Sequence, residues 1–72
     1  MAEKINTVFL SRTIYGVSVV WVKEMLNGLH CIDQWFEING HRVNLGFVDM
    51  ESYNAIITQP KSWYETIAKR YR

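Results

Sequence analysis

Cysteine and proline are almost missing from this chain. Cys31 and Pro60 are the only ones among 72 residues. A single cysteine excludes an internal disulfide, so stability must come from packing, and a reducing, cytoplasmic setting fits best. No apolar run approaches the roughly 18 residues of a membrane span. The opening MAEKINTV carries charge and no long apolar region, so it reads as no signal peptide. Chemical motifs are scarce too. There is no glycine-rich phosphate loop. His30-Cys31 and His41 match no zinc spacing and read as a thiol and two ordinary histidines. Ser11 and Ser18 have no paired histidine and acid. Asp33 and Glu37 read as a solvated pair beside Arg42. The expectation is a protein that is not an enzyme and takes no cofactor or metal.

What is present is a small globular composition. Apolar residues make up 49% of the chain, with three Trp, four Tyr and three Phe. That is too apolar for disorder. The large rings supply the buried area that a short chain otherwise lacks. The net charge of +1 is unevenly spread. Residues 1–60 carry four basic and six acidic side chains, whereas residues 61–72 carry four basic and one acidic. A body with a net charge of −2 opposes strong nucleic-acid binding by charge alone. Pro60, which lacks an N–H and keeps Gln59 from helical angles, divides the chain into a body (1–59) and a basic, aromatic helical tail (60–72).

The firmest local signal is WFEINGHRVNL, residues 35–45. Asn39-Gly40 between β-branched and aromatic runs predicts a tight two-residue hairpin. In that register Ile38 faces His41, Glu37 faces Arg42, Phe36 faces Val43 and Trp35 faces Asn44. Phe36, Ile38, Val43 and Leu45 form the core face. Glu37 and Arg42 form a cross-strand ion pair. Asp49 caps a helix to about Thr58, with Met50, Tyr53 and Ile57 inward. Ser62 and Glu65 make a capping box for a last helix. Glu65–Lys69 adds a pair along it, and Trp63, Ile67 and Tyr71 form its apolar stripe.

Residues 5–22 admit two readings. INTVFLSRTIYGVSVVWV favours strands, broken near Tyr15-Gly16. Alternatively Ser11–Tyr15 is a short helix and Ser18 caps a second helix through about Asn27. That helix would have Val19, Val22 and Leu26 on its apolar face and Gly28 at its end. The first reading gives a four-stranded β-meander with C-terminal helices. The second gives an α+β winged-helix domain.

The order Trp21-Val22-Lys23-Glu24, then the Asn39-Gly40-His41-Arg42-Val43 hairpin, then the acid-capped helix at Asp49, resembles the small excisionases of phages and transposons. The resemblance covers roughly residues 11–57. It implies a winged-helix, DNA-binding accessory factor that bends attachment-site DNA and assists a site-specific recombinase. It implies that Ser18, Val20, Lys23, Glu24 and Asn27 lie on a recognition helix facing the major groove. It implies that Asn39, Gly40, His41 and Arg42 form the wing tip. The tail, with Lys61, Trp63, Lys69, Arg70 and Arg72, would meet the integrase, and copies would self-associate cooperatively on DNA. The chain departs from the family in having only Lys23 basic on that helix. The alternative function is a small protein-interaction or inhibitor module of the phage type that does not bind DNA.

Overall fold

The computed structural model describes residues 3–72. Met1 and Ala2, part of the stretch read above for a signal peptide, lie outside the described residues. Four strands come first: β1 (Lys4–Ile14), β2 (Val17–Leu26), β3 (His30–Ile38) and β4 (His41–Val43). Two helices follow, α1 (Met50–Ile57) and α2 (Lys61–Arg70). The strands form one antiparallel sheet in the order β1-β2-β3-β4. Each strand therefore pairs with its neighbour in sequence.

The winged-helix expectation is overturned at residues 17–27. Val17–Leu26 is one unbroken strand, paired on both sides, to β1 and to β3. The helix propensity of Lys23 to Asn27 is a local preference worth a few tenths of a kcal/mol per residue. Two full ladders of backbone hydrogen bonds outweigh it. The alternation decides the face: Val17, Val19 and Trp21 are buried on one side. The residues assigned to a helical stripe, Val19 and Val22, point to opposite faces of the sheet. Ser11–Ile14, the other candidate helix, is strand as well.

Both two-residue hairpin turns use left-handed backbone. Tyr15 and Gly16 have φ of 49° and 77°, and Asn39 and Gly40 have φ of 50° and 83°. Two successive positive φ values give the turn whose twist matches that of the flanking strands. The β3–β4 register is the expected one: Phe36 faces Val43, Glu37 faces Arg42 and Ile38 faces His41. The expected Trp35–Asn44 pairing is absent, because β4 ends at Val43.

Asp49 is the N-cap of α1, and its carboxylate accepts the Ser52 N–H at 2.8 Å. The buried face of this helix is rotated from the expected one. Tyr53 and Ile56 are buried, while Met50 is 48% exposed. The expected capping box on α2 is not formed. The helix starts two residues earlier, with Pro60 at its N-cap, and Ser62 lies inside the first turn.

The core is a single layer between the helices and one half of the sheet. Val17, Val19, Trp21, Phe36, Ile38 and Val43 from the strands meet Tyr53, Ile56, Tyr64 and Ile67 from the helices. Trp21 and Phe36 pack edge to face at 5.7 Å, and Tyr53 leans on both. Tyr64 is fully buried and its hydroxyl donates to the Ile56 carbonyl, tying α2 to α1. Burial raises its phenol pKa above the ordinary 10.0 by penalising the charged form.

Asn39 connects three parts of the chain. Its backbone N–H donates to the Ser18 carbonyl (2.9 Å). Its side-chain oxygen accepts the Ser18 N–H (3.0 Å), and its side-chain amide donates to the Tyr71 carbonyl (2.8 Å). Beside it, His41 Nε2 lies 2.8 Å from the Arg72 carbonyl. A carbonyl only accepts, so this nitrogen carries the proton. The end of the chain is thus bound to the tip of the β3–β4 hairpin.

Candidate interaction surface

The sheet is longer than the helices that cover it. The molecule measures 45 × 24 × 17 Å. The helices pack over the end of the sheet that carries the Tyr15-Gly16 and Asn39-Gly40 turns. The other end, made by the first half of β1, the second half of β2, the β2–β3 turn and the start of β3, has no cover. It carries much of the exposed apolar surface: Ile5 (50% exposed), Val8 (60%), Phe9 (45%), Leu29 (79%) and Ile32 (44%).

Two β-bulges shape this end. Val8 pairs with Val22 and Leu10 with Trp21, so Phe9 is the extra residue of β1. Glu24 pairs with Asp33 and Met25 with Cys31, so Ile32 is the extra residue of β3. A bulge bends its strand and re-aims a side chain. Both inserted residues here are large, apolar and half exposed. Phe9 packs edge to face on Trp21 at 4.8 Å, and Trp21 is held in turn by an indole N–H bond to Gln34 (3.1 Å).

Beside the first half of β1 lies an open groove of about 420 Å³, lined by Ile5, Thr7, Val8, Phe9, Lys23 and Met25. Lys23 is its only charge. The Lys23 ammonium sits 3.7 Å from the centre of the Phe9 ring and 5.3 Å from that of Trp21. Such contacts hold a cation but leave its charge uncompensated. Among the described residues the one ion pair is Arg42–Asp33, at 3.3 Å, so Lys23 has no acidic partner. The long outer edge of β1 has no strand beyond it. Its outward N–H and C=O groups are therefore free to pair.

The opposite sheet face carries a smaller cluster. Val22 and Trp35 are buried there without any helix above them. The Arg42 guanidinium lies 4.3 Å over the Trp35 ring, and the Trp35 indole N–H donates to Glu37 at 2.8 Å. The expected Glu37–Arg42 ion pair is thus replaced. Although the two residues face each other, Glu37 takes the indole and Arg42 reaches Asp33.

The residues assigned to DNA contact are dispersed. Ser18, Val20, Lys23 and Glu24 lie along β2 rather than on a helix, and Asn27 is in the β2–β3 turn. Lys23 points to the groove face, whereas Val20 and Glu24 point to the other. Asn27 accepts the Glu3 N–H, and Asn39 is committed to the bonds described above. Gly40, His41 and Arg42 do lie at or beside the hairpin tip. The tail residues Lys61, Lys69, Arg70 and Arg72 are exposed. Trp63 is half-buried, edge to face on Tyr64 at 5.0 Å. The two groups assigned to separate partners, tip and tail, are brought together by the Asn39–Tyr71 and His41–Arg72 bonds.

Sequence reasoning missed Ile5, Val8, Phe9, Leu29 and Ile32. Their signal was the β-branched, aromatic run of residues 5–10 followed by no acidic residue before Glu24. No group of acidic, histidine and cysteine side chains suited to a metal occurs among the described residues, and no helix there is long and apolar enough to cross a membrane. The fold and surface define a class: a small antiparallel meander with one face half-covered by helices. No family model, curated protein or solved structure matches the chain.

Proposed function

We propose that the protein is a small protein-interaction module that presents the uncovered end of its sheet to a partner. The observation that carries this reading is the coincidence of two bulged apolar residues, Phe9 and Ile32, with a free strand edge. A chain this short cannot lightly leave several large apolar side chains in water. A photo-crosslinking residue at Val8 tests the reading in extract from the cells that make the protein. The expected result is one discrete protein adduct, competed by excess unlabelled protein and absent when the crosslinker stands at Glu65. No adduct, or an indiscriminate smear, refutes it. The cytoplasmic setting expected from the single cysteine belongs to this reading.

A second reading, DNA binding as an accessory to a recombinase, is supported by one observation. His41 and Gly40 share an end of the molecule with Lys69, Arg70 and Arg72. This end would act as a basic clamp on phosphate, without a recognition helix. In a gel shift, affinity for duplex DNA should fall steeply with salt and should weaken when Arg70 and Arg72 are replaced by Ala. Binding that ignores either change rules it out.

A further inference from the structure

The partner's chemistry can be narrowed further, on the basis of the interaction reading. We infer that the first half of β1 accepts an extended partner segment by strand addition, and that the segment alternates apolar with acidic side chains. Three observations converge on this occupant. The edge Lys4–Val8 is regular, ends at the Phe9 bulge and has no neighbour on its outer side. Strand addition uses such an edge for main-chain bonds and uses adjacent pockets for alternate side chains. The groove beside it is the pocket, mostly apolar and charged only at Lys23, whose ammonium lacks an acid.

Charge separates this occupant from a second copy of the chain. From residue 4 to residue 14, β1 bears Lys4 and Arg12 and no acid; Glu3 stands just before it. Glu24, the nearest acid on β2, faces Asn6 on the reverse side of the sheet. Two copies pairing edge to edge along Lys4–Val8 would bring Lys4 and Lys23 of each into one interface. Edge cations of this kind block self-pairing. A strand whose acidic side chains face the groove instead meets Lys23, the one charge there.

The test uses the whole protein and three short synthetic peptides that alternate valine with glutamate, threonine or lysine. The valine–glutamate peptide should bind best and should slow amide hydrogen exchange at alternate residues of Lys4–Val8. Lys23→Met, which keeps the aliphatic stem, should weaken that peptide by about tenfold, or ~1.4 kcal/mol, and leave the threonine peptide unchanged. Equal binding of the lysine peptide overturns the inference. So does binding without protection of β1, or no binding at all. Concentration-dependent dimerisation that protects β1 overturns it in favour of a second copy. A discrete adduct at Val8 without peptide binding would leave the interaction reading standing and remove strand addition alone.

Discussion

Asn39 offers the sharpest test of how this fold is held, because one short side chain serves a turn, a strand and the chain's end. Replacement by Ala removes two bonds, to the Ser18 N–H and to the Tyr71 carbonyl. Each is worth about 1 kcal/mol net. It also places a residue with Cβ and no local hydrogen bonding at φ 50°, for about 1 kcal/mol more. The sum is about 3 kcal/mol, against a stability of roughly 4–11 kcal/mol for a chain of this length. The melting temperature should fall by roughly 12–24 °C. Asn39→Gly tolerates the left-handed backbone, so it should cost only the two bonds, about 2 kcal/mol. Asn39→Asp keeps the acceptor for Ser18 and loses the donor to Tyr71, so it should loosen the last residues selectively. Urea unfolding followed by circular dichroism, with amide exchange at Arg70–Arg72, reads all three. A loss below about 0.5 kcal/mol in Asn39→Ala, within the range of ordinary surface changes, would refute the reasoning. So would an Asp variant whose C-terminal amides exchange as in the parent.

Three further outcomes are expected. Tyr64 is held neutral by burial, with a pKa above 10.0 in the fold, so its contribution is complete below pH ~10 and is lost as pH rises through the folded value. Tyr64→Phe should flatten that alkaline decline and lower stability at neutral pH by about 1 kcal/mol through the lost bond to Ile56; an unchanged alkaline limb counts against it. Tyr15 stands at φ 49° and is 63% exposed as a residue, so Tyr15→Asn should stabilise by about 0.5 kcal/mol after the lost contact with Tyr64, and a loss above about 1 kcal/mol would mean that the ring contact dominates. Arg42→Ala should cost less than about 1 kcal/mol, because the pair with Asp33 is largely exposed, yet acrylamide quenching of Trp35 should rise; unchanged quenching would mean that the guanidinium does not shield the ring.

Legibility followed the range of the determining forces. Asn39-Gly40 and Asp49 were read correctly because turn and cap chemistry lies within a few residues. The inward set Phe36, Ile38 and Val43 followed from strict alternation. Residues 17–27 were ambiguous because the answer depends on partners: β1 on one side and β3 on the other decide against the local helix preference of Lys23–Asn27. The α1 face was misjudged at Met50 because approach of α2 selects Ile56. The bulges at Phe9 and Ile32 have no local signature, since an extra residue exists only relative to a partner strand. The candidate surface was therefore the least readable part, and the excisionase resemblance rested on a short motif whose backbone is strand.

The neighbour-by-neighbour order of the strands also sets a timetable for synthesis. Pairing only adjacent strands keeps loop closure cheap, so the sheet can assemble as each hairpin is made. Its cover, however, is encoded after all four strands. Until residues 50–70 leave the ribosome, Trp21 and Phe36 have no helix above them. A nascent chain paused near Pro60 would expose both the future core and the uncovered end at once, and would be the stage most in need of a chaperone.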